Sequence, residues 1–165
     1  MTIKNNIIYY EELSSKRTGW LFLGLTAFFL LLTVWRLKTG GWDGYTVSFL
    51  VFACFFLFYS VNYRVLIIRI TPEAIKLTFG IFKWTVPFNN IQNCSIDEIP
   101  AFMKYGGAGI HFMFIEGRYR ASFNFLEYPR VVIAFRNKVG PVQDISFSTR
   151  RPEEVLRNIR ETMSA

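Results

Sequence analysis

Along two stretches of the chain the alternation of polar and apolar positions disappears. From Gly19 to Trp35 (GWLFLGLTAFFLLLTVW) and from Tyr45 to Tyr63 (YTVSFLVFACFFLFYSVNY) there is no Asp, Glu, Lys, Arg or His. A surface helix of a soluble protein keeps a polar stripe, whereas a helix in lipid is apolar all round. At ~1.5 Å per residue the two runs cover roughly 26 to 29 Å, the short end of what a hydrocarbon core of about 30 Å requires. Trp20 and Trp35 bracket the first run, and Trp42, Tyr45, Tyr59 and Tyr63 bracket the second, where amphipathic rings meet headgroups. The competing readings are a pair of buried core helices and a cleaved signal peptide. A chain this short has little else with which to cover two such helices, and the first run lacks a small-x-small exit and is followed at once by the second. The pattern therefore predicts transmembrane helices over 19–37 and 45–63.

Between them, Arg36 to Gly44 (RLKTGGWDG) carries the Gly40-Gly41 pair and is long enough to reverse direction but not to form a domain. The expected product is a helical hairpin. Lys4, Lys16 and Arg17 precede the first run and Arg64, Arg69 and Lys76 follow the second, against Arg36 and Lys38 in the loop. By the positive-inside rule both tails are expected in the cytoplasm, at a cell (inner) membrane in a bacterium. Neither run contains a proton relay or gating charge. Gly24 with Ala27, and Ala53 with Cys54, are the small residues available for helix packing, Cys54 as an apolar filler.

After Asn62 the rhythm changes to short β-branched and aromatic runs punctuated by turn residues. Strands are expected at Tyr63 to Ile70, Ala74 to Phe79 and Phe82 to Val86, a meander turned by Thr71-Pro72-Glu73 and by Gly80. Further runs are Ile91 to Ile99, Ile110 to Ile115, Arg118 to Phe125, Arg130 to Arg136 and Ile145 to Thr149. Pro152-Glu153-Glu154 then opens a helix in the way the macrodipole favours, and Val155, Leu156, Ile159 and Met163 give it one apolar stripe over 152–163. The fold class expected is α+β: a 1–18 N-terminal cytoplasmic segment, a transmembrane hairpin over 19–63, and a 64–165 β domain. That domain reads as about seven antiparallel strands in a bent sandwich or barrel, closed by the amphipathic C-terminal helix.

Composition sharpens this picture. Eight of the 18 Phe lie in the two apolar runs, so the aromatic excess belongs to architecture and not to a stacking site. The net charge of +7 rests mainly on residues 62–165, with 14 Lys plus Arg against 9 Asp plus Glu. An acidic surface is the natural neighbour of such a domain, and for a tethered one anionic lipid is nearer than nucleic acid, which is not expected as a partner. Two Cys allow neither a disulfide framework nor a Cys-rich metal site.

Several motifs carry a resemblance. They are Pro72-Glu73-Ala74-Ile75 after the first strand, Phe79-Gly80-Ile81-Phe82, Val86-Pro87-Phe88-Asn89-Asn90-Ile91, Tyr105-Gly106-Gly107-Ala108-Gly109-Ile110, and Ser148-Thr149-Arg150-Arg151-Pro152-Glu153-Glu154. In this order, over most of residues 62–163, the chain resembles bacterial pleckstrin-homology-like (PH-like) domains anchored by an N-terminal two-helix membrane hairpin. The resemblance implies that fold and anchoring, and little chemistry. Phosphoinositide-binding members of the wider superfamily cluster Lys and Arg around the first hairpin; here that turn is short and acidic, which speaks against inositol phosphate recognition.

Reactive groups are sparse. The single histidine, His111, would have to carry any Ser-His-Asp triad, and with Glu116 and Asp97 any metal site, yet no ligand spacing such as HExxH accompanies it. Asp97-Glu98 and Glu153-Glu154 are sequence neighbours, and neighbours on a strand face opposite ways. Gly106, Gly107 and Gly109 resemble a phosphate cradle but precede a strand and not a helix. No catalytic residue, metal or cofactor is therefore expected. The expected role is a non-enzymatic interaction or scaffold module presenting its cytoplasmic β domain to a membrane or cytoplasmic protein, with a homo-oligomer as a further open arrangement. Tyr105, Gly106, Gly107 and Gly109 form its candidate interaction loop. The alternative is anionic-lipid or small-ligand binding through Arg64, Arg69, Lys76, Arg118 and Arg120, and a membrane-tethered enzyme ranks last.

Overall fold

The computed structural model describes residues 7–98, 109–115 and 117–164. The chain divides into two compact units, one built from Ser15–Arg64 and the other from Met1–Ser14 together with Val65–Ala165.

The first unit is the helix pair α1 (Lys16–Gly40) and α2 (Gly44–Asn62). Ser15 caps α1 by accepting from the Thr18 amide, and Asp43 caps α2 by accepting from the Thr46 amide at 2.9 Å. Asp43 also binds the Arg36 guanidinium through Nη2 (2.7 Å) and Nε (3.1 Å), so one carboxylate both starts α2 and ties it to the end of α1. These contacts hold the Asp43 carboxyl well below the usual range, at about 2. The helices run antiparallel and pack through rings: Phe22 meets Tyr59 at 5.4 Å, and Phe29 meets Phe52 at 5.2 Å and Phe56 at 5.5 Å. The buried line on α1 is Thr18, Phe22, Thr26 and Thr33, with the Thr26 and Thr33 hydroxyls donating to carbonyls four residues back. Gly24 and Ala27 are exposed, so close packing through these small residues does not occur; ring stacking spaces the helices instead, and only Ala53 of the expected small residues is buried. Cys54 is exposed. Both helices are long and apolar enough to cross a bilayer, and only 17% and 11% of their most apolar windows are buried, unlike core helices of a soluble protein.

The second unit holds nine strands among the described residues. A four-stranded antiparallel sheet has the order β1 (Tyr9–Ser14), β2 (Val65–Ile70), β3 (Ala74–Phe79) and β4 (Phe82–Pro87). A 3₁₀ turn at Phe88–Asn90 leads to β5 (Ile91–Ile96), followed by β6 (Gly109–Ile115), β7 (Arg118–Asn124), β8 (Arg130–Val139), β9 (Val142–Ser148) and α3 (Pro152–Ser164). The second sheet has the order β5-β8-β9-β7-β6. The α+β class and the C-terminal helix agree with the sequence pattern. Three features differ from it. The strands number nine and not about seven among the described residues, and of the two expected shapes, sandwich or barrel, the separate sheets form no closed barrel there. The pair β7 and β9 is parallel, because the β8–β9 hairpin is inserted between β5 and β7. And residues 9–14, expected within a tail, are a strand paired along its whole length with β2, from Tyr9↔Ile70 to Ser14↔Val65.

The hairpin β3–β4 turns at Gly80, whose φ of +59° occupies the first place of a two-residue loop where a positive φ is required. The core lies between the sheets. Leu66, Ile68, Ile70, Ile75, Leu77 and Phe79 face Phe123, Val131, Ile133, Ile145 and Phe147, all at most 2% exposed. α3 adds Val155, Leu156 and Ile159, packing beside β5 and β8.

Candidate functional site

The five-stranded sheet is buried on both faces along β7 and β9, and the face away from the apolar core is polar. Parallel register sets Arg120 beside Asp144 and Ser122 beside Ser146, while antiparallel register sets His111 beside Ser122. Arg120 Nε donates to Asp144 Oδ1 at 2.6 Å, and its Nη1 lies 3.5 Å from Asp97. Arg118, at the sheet's rim, reaches Asp144 Oδ2 at 3.1 Å. The Ser122 and Ser146 hydroxyls share a hydrogen bond of 2.9 Å, and Ser148 accepts from the Phe125 amide at 2.9 Å. Charges taken out of water in this way are tolerated only when paired and hydrogen-bonded.

His111 enters the same layer as a neutral ring. Burial, aided by the positive charge of Arg130, pushes it down to about 4. Its two ring nitrogens have no hydrogen-bond partner among the described residues. The hydroxyl of Ser122, its cross-strand neighbour, is taken up by Ser146, and no cluster of three His, Cys, Asp or Glu suited to a metal is found among the described residues. Glu116, named in the metal reading, lies outside them.

The cations expected to meet lipid fall into two groups. Arg69 and Lys76 stand opposite each other across β2 and β3 and are exposed, on the outer face of the four-stranded sheet. The Arg69 guanidinium sits 5.6 Å from the Tyr10 ring centroid, Tyr10 being its cross-strand neighbour on β1. Lys83 on β4 is exposed as well; the alternation of Phe82, Trp84 and Val86 is the signal in the sequence that adds it to the set. Arg64, in the helical unit, is exposed. Arg120 must be withdrawn as a surface contact, because it is buried and its guanidinium is taken up by Asp144 and Asp97. Arg118 is half-buried and committed to Asp144. Of the expected interaction loop, Tyr105, Gly106 and Gly107 lie outside the described residues, and Gly109 opens β6 as a buried residue opposite Asn124.

A second polar site was not read from the sequence. Glu11, buried on β1, accepts from Thr149 Oγ1 (2.5 Å), from the Arg150 amide (2.9 Å) and from the Tyr9 hydroxyl (2.7 Å). Burial and the neighbouring Glu11 push the Tyr9 phenol up to about 12. This carboxylate fastens the strand that precedes the helices to the junction between β9 and α3, and the Tyr128 hydroxyl adds a bond to the Ser14 carbonyl at 3.0 Å. The helix pair is therefore an insertion within the β unit, leaving β1 after Ser14 and rejoining the sheet at Val65, its register partner.

Comparison with protein-family models, curated proteins and solved structures finds no match to this chain.

Proposed function

We propose that this protein is an integral membrane protein whose helical hairpin holds a PH-like β domain at the cytoplasmic face of a bacterial cell membrane, where the domain acts as a non-enzymatic interaction module for a protein partner. The observation that carries the reading is the pairing of Ser14 with Val65. One strand ends where the first apolar helix begins and its neighbour begins where the second has ended, so the hairpin leaves and returns on one side. The exposed apolar surface of both helices supports lipid as their surroundings, and the excess of Lys and Arg in the flanks supports the cytoplasmic side. Two β-sheets and a C-terminal helix support the PH-like reading; the parallel pair β7–β9 is a departure from it.

Cross-linking mass spectrometry of the full chain in its native membranes tests the partner. The expected result is a reproducible set of cross-links from the β domain to one protein, lost when the hairpin is replaced by a soluble tag. Cross-links spread over abundant proteins without preference would remove the interaction reading.

A second reading, anion binding by the domain, is favoured by one specific arrangement: like charges at Arg69 and Lys76 held directly opposite on an exposed sheet face, a pairing that costs stability unless an anion relieves it. A lipid headgroup and a free phosphate share that chemistry. Full chain in nanodiscs distinguishes them, because inorganic phosphate would bind equally in neutral and anionic discs.

A further inference from the structure

Where the chain passes between the sheet and the helices determines which part of the β unit lies within reach of lipid. Ser15 alone separates β1 from α1, and Tyr63 and Arg64 separate α2 from β2; at ~3.6 Å per extended residue these links reach only about 7 to 11 Å. The end of the sheet marked by Ser14 and Val65 is therefore held within one headgroup layer of the bilayer if the helices span it, and the inference below rests on that reading.

Register places two further segments at this same end. Leu66, next to Val65, pairs with Phe79, and Phe79 pairs with Phe82. The β3–β4 turn, Gly80 with Ile81, thus lies at the Ser14–Val65 end of the sheet and not at the far end with Thr71 and Pro72. The loop between β7 and β8 joins it there: Tyr128 donates to the Ser14 carbonyl, and the Phe125 ring meets Phe79 at 5.0 Å. Both segments expose apolar tips. Ile81 is 67% exposed and Leu126 45%. Around them stand the exposed cations Lys83 and Arg150, with Glu127 as the one acid in the loop.

We infer that Ile81 and Leu126 form a second, peripheral membrane contact, in which the tips of two loops enter the headgroup zone of the same leaflet and Lys83 and Arg150 meet its anionic phosphates. Large apolar residues at loop tips flanked by Lys and Arg match that zone, which is apolar below and negatively charged above. Short covalent continuity with the hairpin puts lipid, and not a protein, next to these tips. The contact fixes the orientation of the domain, which a two-point tether alone leaves free to rock.

The test uses the full chain with Cys54→Ala and Cys94→Ala, reconstituted in phosphatidylcholine and phosphatidylglycerol vesicles. An environment-sensitive fluorophore is placed in turn at Ile81→Cys, Leu126→Cys, Pro72→Cys and Leu31→Cys, and lipid-borne doxyl quenchers are added. Strong quenching at 31, clear quenching by shallow doxyl groups at 81 and 126, and none at 72 is the expected pattern. Quenching at 31 with 81 and 126 behaving like 72 overturns the peripheral contact while leaving the spanning helices in place. Absence of quenching at 31 overturns the membrane reading itself. A blue-shifted but unquenched signal at 81 shows the tip covered by a second copy of the chain, and also overturns the inference.

Discussion

Glu11 is the residue on which the β unit depends in a way its surroundings in sequence do not suggest. Its carboxylate is buried and accepts three hydrogen bonds, two of them from residues that follow it by more than 130 positions. Glu11→Gln keeps the shape but loses the charge and one acceptor, and is expected to cost about 2–3 kcal/mol; thermal unfolding of the full chain in detergent, followed by far-ultraviolet circular dichroism, measures it. His111 makes a second prediction, in pH. Its folded-state value of about 4 lies below the ordinary 6.5, so the unfolded chain takes up the proton first. Stability is intact above about 6.5 and declines as pH falls from there towards 4, by about 1–2 kcal/mol once the partial exposure of the ring is allowed for. His111→Phe should flatten that decline; an unchanged slope would place the titrating group elsewhere. Neither residue could be assigned this role from sequence. His111 reads as one polar position in an aromatic strand, and nothing local to it announces Arg130 as its neighbour.

At the scale of elements, what was legible depended on whether a segment's pattern was set by one face. β3 alternates between core and water, β2 is a β-branched run, β4 sets Phe82, Trp84 and Val86 on one side, and α3 shows its stripe, so all four are recognisable from the chain. β1 is YYEELS, whose inward positions are Tyr9, Glu11 and Leu13. A carboxylate in the middle of the inward set removes the hydrophobic alternation, and only the long-range bonds to Thr149 and Arg150 make it tolerable. Likewise β7 and β9 are buried on both faces, and the polar face pairs Arg120 with Asp144 across 24 residues. Read alone, Arg118 and Arg120 look like an exposed basic strand; with Asp144 and Asp97 opposite, Arg120 is interior. The consequence for boundaries is testable. A fragment of residues 64–165, the boundary that composition suggests, lacks β1 and exposes the β2 edge with Leu66, Ile68 and Ile70 behind it. It is expected to aggregate or to give broad amide spectra, whereas the same fragment with residues 7–14 joined in front of Arg64 by a Gly/Ser linker should give a cooperative transition. Equal behaviour of the two fragments would show β1 to be dispensable.

On the scale of the whole molecule, the hairpin and the β unit answer different questions about where this protein works. Composition alone separated them, because the apolar runs and the basic, β-rich remainder have little in common. That the remainder is one unit interrupted by the hairpin emerged from strand pairing, a long-range property that no local signal encodes. The same pairing adds what Lys and Arg counts do not supply: a strand that ends at Ser14 and one that begins at Val65 cannot pair across a bilayer, so helices that span one must leave and return on the same side, whichever side that is. The most direct test is side-specific labelling in sealed vesicles with a membrane-impermeant maleimide, using the full chain with Cys54→Ala and Cys94→Ala and single cysteines at Ile7→Cys, Trp42→Cys and Pro72→Cys. Positions 7 and 72 should label from the same side, the cytoplasmic one, and position 42 only from the other. Labelling of 7 and 72 from opposite sides, or of 42 and 72 from the same side, would contradict a membrane hairpin inserted into a single β domain.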